Sequence, residues 1–206
     1  MPESIEIQIL NKIKKAKRGS LFFTDSFANI GNAKAISKAL ERLTKANEIR
    51  RVATGIYVRP QIDPVIGAIT PTVEKIAVAI AKRDKARIIP TGVYALNRLG
   101  LSTQVPLNAV YLTDGAARKI KIGKRTITFK NASPKNLSAY GEISGLVIQA
   151  LKTIGKDKAT KDEIEKIQQL LKKEKVINIK HDTLLAPEWI RKIITPNAYP
   201  KYKYEK

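Results

Sequence analysis

The 206-residue chain contains no cysteine. That excludes disulfides, thiolate metal ligands and cysteine nucleophiles together, and it fits a cytoplasmic setting. A single histidine, His181, has no companions at ligand spacing, so no metal and no cofactor is expected, and His181 reads as a surface residue. Aromatics make up 6% of residues and form none of the pairs that build stacking platforms for single-stranded nucleic acid. No apolar run approaches a membrane span; Ile76 to Ala81 is the nearest and is far too short, so no membrane partner is expected. Met1-Pro2-Glu3-Ser4 lacks the charged and apolar regions of a signal peptide. Carboxylates are few and scattered. Asp63, Asp84, Asp114 and Asp157 stand alone, and Asp162, Glu163 and Glu165 belong to a helix start. With no Asp-x-Asp pair, no phosphate-binding Gly-Lys-Ser/Thr loop and no Gly-x-Ser-x-Gly, the chain names no catalytic residue and reads as a non-enzyme.

Positive charge is what the chain has in excess: 39 Lys and Arg against 18 Asp and Glu, a net of +21. Counted by segment, residues 1–60 carry +7, residues 61–130 carry +8 and residues 131–206 carry +6. The excess is spread along the chain, and such a field attracts polyanions from a distance. Solvated surface lysine is the competing reading.

The stretch from Asn32 to Arg59 gives the charge a shape. Ile36, Ala39, Leu40 and Leu43 fall at i, i+3, i+4 and i+7 and line one face of a helix, with Asn32 as its N-cap. Lys34, Ser37, Lys38, Glu41, Arg42 and Lys45 fall off that stripe and should face out. Glu48 to Val52 and Ile56 to Arg59 are short β-rich runs around the turn Ala53-Thr54-Gly55. A basic helix followed by a basic hairpin is the reading unit of a winged helix-turn-helix, with the helix in the major groove and the wing along the backbone.

Before it, Ser4 caps a helix with Ile5, Ile9, Leu10, Ile13 and Ala16 on one face, ended by Gly19; Ser20 to Phe23 is a β run; Thr24 caps a short helix to Ile30. The core is expected at Phe22, Phe27, Ile30, Leu40, Leu43, Ile49 and Val52. The expected organisation is α+β: an N-terminal winged helix over 1–60, a proline-bearing linker over 61–71, a C-terminal mixed α/β domain over 72–196 and a loose tail over 197–206. In the second domain, Thr70-Pro71 opens a helix carrying Val73, Ile76, Ala77 and Ile80. Ala86 to Ile89 is a strand, Pro90-Thr91-Gly92 a turn, and Val93 to Leu99 a short helix. Ala109 to Thr113 is another strand, followed by a turn at Asp114-Gly115. Lys119 to Ile122 and Arg125 to Phe129 alternate as a hairpin around Gly123-Lys124. Helices follow over Ile143 to Ile154, after the capping box Thr160 to Glu163, and from Pro187 with Trp189, Ile190 and Ile193.

For DNA the candidate contacts are Lys34, Ser37, Lys38 and Arg42 from the helix and Arg50, Arg51, Thr54 and Arg59 from the wing. Arg42 is the base reader of choice, since arginine presents a planar fork to guanine. One of Arg50 and Arg51 should point elsewhere, because strand neighbours face opposite sides. Asn97, Arg98, Ser102, Thr103 and Gln104 could line a polar pocket or partner surface, or satisfy backbone groups around a turn. Lys119, Lys121, Lys124 and Arg125 could extend a DNA footprint, meet an acidic partner or simply be solvated.

The chain resembles AbiEi-type antitoxins of the bacterial type IV toxin–antitoxin systems, from about Ile5 to Ile194. The resemblance rests on Ala39 to Leu43 with Ile49 to Val52 and Gly55 to Tyr57, and more sharply on Pro90-Thr91-Gly92, Ala95 to Pro106 and Tyr111 to Gly115. Ala186 to Ile190 also fits. It implies an N-terminal domain that represses its operon by binding double-stranded promoter DNA, and a C-terminal domain that counters a nucleotidyltransferase-type toxin. A monomer or weak dimer is expected. A stand-alone winged-helix regulator and a basic RNA-binding module are the alternatives.

Overall fold

A computed structural model describes residues 3–65, 67–104 and 106–198, side chains being described through residue 194. The chain divides into two units: residues 1–80 with 120–124, and residues 81–119 with 125–206. The fold is mixed α and β. Among the described residues no helix is long and apolar enough to cross a membrane.

The first unit runs α1 (Ile5–Lys15), β1 (Leu21–Phe23), a 3-10 turn (Thr24–Phe27), α2 (Ala33–Lys45), β2 (Arg50–Ala53) and β3 (Ile56–Val58). Ser4 Oγ accepts from Ile7 N at the start of α1, and Asn32 Oδ1 accepts from Ala35 N at the start of α2. Both answer amides that a first helical turn leaves without partners. The strands form one antiparallel sheet in the order β1-β3-β2. Its turn is made by Gly55 at φ +70°. Ile9, Ile13, Phe22, Phe27, Ile36, Ala39, Leu40, Leu43, Ile49 and Tyr57 pack as one core. Ile30 and Val52, expected inside, are only half-buried. Val52 sits at a register shift between Arg51 and Ala53, which turns it off the regular pleat. The second helix expected from Thr24 to Ile30 is a single 3-10 turn; Ser26 Oγ accepts from Phe23 N, so the cap lies one residue earlier than expected.

Where a linker is expected, β4 (Gln61–Asp63) and β5 (Gly67–Ile69) pair as a small antiparallel hairpin. α3 (Val73–Arg83) starts from Thr72, whose hydroxyl accepts from Lys75 N, two residues past the expected cap at Thr70. Val73, Ile76, Ala77 and Ile80 are buried as their spacing implies.

A second sheet has the order β6-β7-β9-β8 and is made of β6 (Ile88–Thr91), β7 (Asn108–Thr113), β8 (Arg118–Ile122) and β9 (Arg125–Asn131), all but residues 120–122 of it counted in the second unit. β6 runs antiparallel to β7, and β7 runs parallel to β9. Pro90 and Thr91 belong to β6 rather than to a turn; β6 is an edge strand, where a missing N–H is tolerated. Gly92 at φ +65° makes the turn into α4 (Val93–Arg98).

The helical side contains α5 (Glu142–Ile154), α6 (Lys161–Leu171), α7 (Val176–Leu185) and α8 (Glu188–Ala198). Residues Ser144 to Leu151 of α5 are all buried, the polar Ser144 and Gln149 among them. α4, α6, α7 and α8 pack around it through Ala95, Leu99, Ile167, Leu171, Ile179, Ile190 and Ile194. The Thr160–Glu163 capping box opens α6 as expected. α7 has no counterpart in the sequence reading. α8 runs through Pro196 to Ala198, where a tail was expected to begin; residues 199–206 of that tail lie outside the described residues.

Candidate nucleic-acid interface

α2 separates its side chains sharply. Ile36, Ala39, Leu40 and Leu43 are at most 3% exposed, while Lys34, Ser37, Lys38, Glu41, Arg42 and Lys45 are exposed. Apolar burial at i, i+3, i+4 and i+7 therefore fixes which way the basic positions look. Among the described residues neither Lys34 nor Lys38 has a carboxylate partner. Lys45 pairs with Glu41 at 2.8 Å, and that contact holds the Glu41 carboxyl below its ordinary pKa.

Arg42 is exposed but not free. Its Nε donates to Glu6 Oε2 of α1 at 2.5 Å. The Glu6 side chain is 31% exposed and that of Arg42 59%.

In the β2–β3 hairpin, Arg51 stands opposite Tyr57 and Arg50 opposite Val58. Alternation thus puts Arg51 on the Phe22–Tyr57 side of the sheet, the side that joins the α2 core, and Arg50 on the other. Both are exposed, because β2 is an edge strand. Thr54 is exposed in the turn. Arg59 is occupied elsewhere: its guanidinium donates to Lys14 O at 2.8 Å and to Ala16 O. Those carbonyls lie at the C-terminal end of α1, where partners are lacking. Arg59, expected to grip the DNA backbone, therefore uses one Nη group to close a helix.

In the second unit the predicted polar cluster is largely internal bonding. Asn97 Nδ2 donates to Ser102 O at 3.2 Å and to Gln104 O at 3.0 Å, and Ser102 Oγ accepts from Gln104 N. Arg98 pairs with Glu142 at 3.1 Å. Thr103 and Gln104 are exposed. The turn-satisfying alternative accounts for Asn97 and Ser102. Lys119, Lys121, Lys124 and Arg125 are all exposed on or beside the β8–β9 turn.

His181, expected at the surface, is half-buried, its side chain 31% exposed. Its ring lies against Tyr140 with centroids 3.7 Å apart and planes 3° from parallel, and its Nδ1 is 2.8 Å from Asp182 Oδ1. Asp182 is completely buried and also accepts from Tyr140 N, Gly141 N and Ser144 Oγ. Glu174 Oε2 accepts from Ile143 N. Two carboxylates thus answer the orphan amides at the buried start of α5. No local pattern announces this, since 41 residues separate Asp182 from Gly141. An open groove of about 650 Å³ also lies beside Trp189, rimmed by Lys156, Asp157, Glu188 and Lys192, a balanced set of charges.

The sequence matches a family of unknown function, DUF6088, over residues 8–179, and the chain belongs to that family. No curated protein matches it. Among solved structures it is similar to the RV2827C protein from Mycobacterium tuberculosis, at 11% identity and a TM-score of 0.44, over 95% of this chain and 82% of that one.

Proposed function

We propose that this member of the DUF6088 family is a duplex-DNA-binding regulator of the winged-helix kind, with α2 as its major-groove helix and the β2–β3 turn as its wing. The observation that supports this most directly is the exposed row Lys34, Ser37, Lys38 and Arg42, held outward by the buried row Ile36, Ala39, Leu40 and Leu43. Arg51 on β2 and Thr54 in the turn add an exposed guanidinium and an exposed hydroxyl donor on the hairpin. Lysines grip phosphates and an arginine fork reads guanine, so one short surface carries both positioning and reading groups. The net charge of +21 supplies long-range attraction. On the resemblance to AbiEi-type antitoxins, the regulator represses its own promoter, and the second unit counters a nucleotidyltransferase-type toxin.

The test is a competition gel with full-length protein, labelled promoter duplex, and unlabelled duplex or single strands. Duplex is expected to compete better, and affinity to fall steeply with salt. Arg42→Ala should cost about 1–3 kcal/mol on the preferred sequence and little on a scrambled one. Equal competition by single strands would overturn the reading. For the antitoxin half, the protein is co-expressed with the nucleotidyltransferase encoded beside it. Growth rescue by a Lys34→Ala/Lys38→Ala variant that no longer binds promoter is expected. Loss of rescue in that folded variant, or absence of such a neighbouring gene, would remove this half.

A further inference from the structure

The ion pair between α1 and α2 bears on how the proposed interface discriminates between sequences. A guanidinium has two edges that can hold a base bidentately: Nε with one Nη, or the two Nη groups end-on. In this protein Glu6 already takes Nε of Arg42. Only the end-on edge remains for DNA. Glu6 itself is held in place. It sits in the first turn of α1 behind the Ser4 cap. The neighbouring Ile5 is seated against Gly31, where a Cβ would come within 2.7 Å of Ile5 Cδ1. The Glu6 carboxylate is also a negative charge at a surface that would face phosphates, so it opposes non-specific binding.

Resting on the DNA-binding reading above, we propose that Glu6 is a specificity-determining positioning residue. It tethers Arg42 by Nε, presents the two Nη groups end-on to a base, and keeps the guanidinium from swinging to the phosphate backbone. Glu6 touches no base. It acts by limiting what Arg42 can do, and so it trades overall affinity for discrimination.

The experiment compares full-length wild type, Glu6→Gln, Arg42→Ala and the double variant. The probes are a duplex selected from a randomised pool by the wild-type protein and a scrambled duplex of equal composition. For Glu6→Gln the scrambled duplex should bind more tightly. The selected-to-scrambled affinity ratio should fall by about tenfold, the scale of one bidentate contact. The slope of log K against log salt on the scrambled duplex should steepen by about 0.9, one added phosphate contact. In the Arg42→Ala background Glu6→Gln should leave the ratio unchanged, since its effect passes through Arg42. A carboxylate that merely steadies the fold would lower the melting temperature without moving ratio or slope. Unchanged ratio and slope in folded Glu6→Gln, or an equal drop in ratio when Arg42 is already absent, overturns the proposal while leaving DNA binding intact. Failure of the wild type to bind duplex overturns both.

Discussion

At the scale of single residues, partners decide more than residue type. Three arginines of the first unit look alike in sequence and do different work. Arg51 is exposed on the edge strand β2, Arg42 is tethered by Glu6, and Arg59 closes α1. Arg51→Ala should weaken binding to every duplex alike and flatten the salt slope by about one unit, read by fluorescence anisotropy at several salt concentrations. Arg59→Ala should instead lower stability and leave the slope unchanged. Asp182 is the sharpest case in the second unit, with four groups converging on its carboxylate. Removing a buried acceptor costs about 1–3 kcal/mol for each donor left unanswered, so Asp182→Ala should lower the urea-unfolding free energy by on the order of 3 kcal/mol. A loss within experimental error would mean that water replaces the carboxylate without cost.

At the scale of elements, legibility follows local periodicity. α2 and the β8–β9 hairpin are readable because their apolar positions repeat at the period of the element itself. The Thr160–Glu163 box was readable because both of its partners lie within four residues. Thr160→Ala should therefore cost about 1 kcal/mol, measured by urea unfolding. α7 was not readable. Only Ile179, Asp182 and Thr183 of it are buried, and two of these are polar. The strand over β6 is legible but not its end, because Pro90 reads as a turn signal and the sheet order that makes β6 an edge strand is not written locally. Of the candidate interface, the α2 row and the β2–β3 hairpin are legible; the tether on Arg42 is not, because Glu6 lies 36 residues away.

At the scale of the whole molecule, charge sets the response to solution conditions. A net of +21 repels itself, so moderate salt should raise the melting temperature while weakening the proposed DNA binding. Calorimetry and binding titrations across the same salt series would check the opposed trends. Acid should act through several carboxylates. Burial alone would raise Glu174, but donation from Asn178, Lys175, Ile143 and Ser144 outweighs it and leaves its pKa below the ordinary 4.5. Asp84 is likewise raised by burial and lowered further by Arg83 and Arg118, ending below 3.8. Asp114 is held below 3.8 by Arg87, through its side chain and its backbone. A folded pKa below the unfolded one adds stability that is present above the unfolded value and lost as pH falls through the folded value. The urea midpoint should thus hold near neutrality and drop below about pH 4.5. A midpoint that stayed flat to about pH 3 would contradict this.

The sequence by itself determined the α and β periods, the caps at Ser4, Asn32 and Thr160, the two apolar faces of the first unit's helices and the excess of positive charge. Each of these depends on neighbours within a turn or a strand. Tertiary structure alone decided that Arg59 closes a helix, that Glu6 holds Arg42, and that Asp182 and Glu174 answer the buried amides of α5. Those are pairings between groups tens of residues apart, and a hydrogen bond acts over about 3 Å of space whatever the distance along the chain.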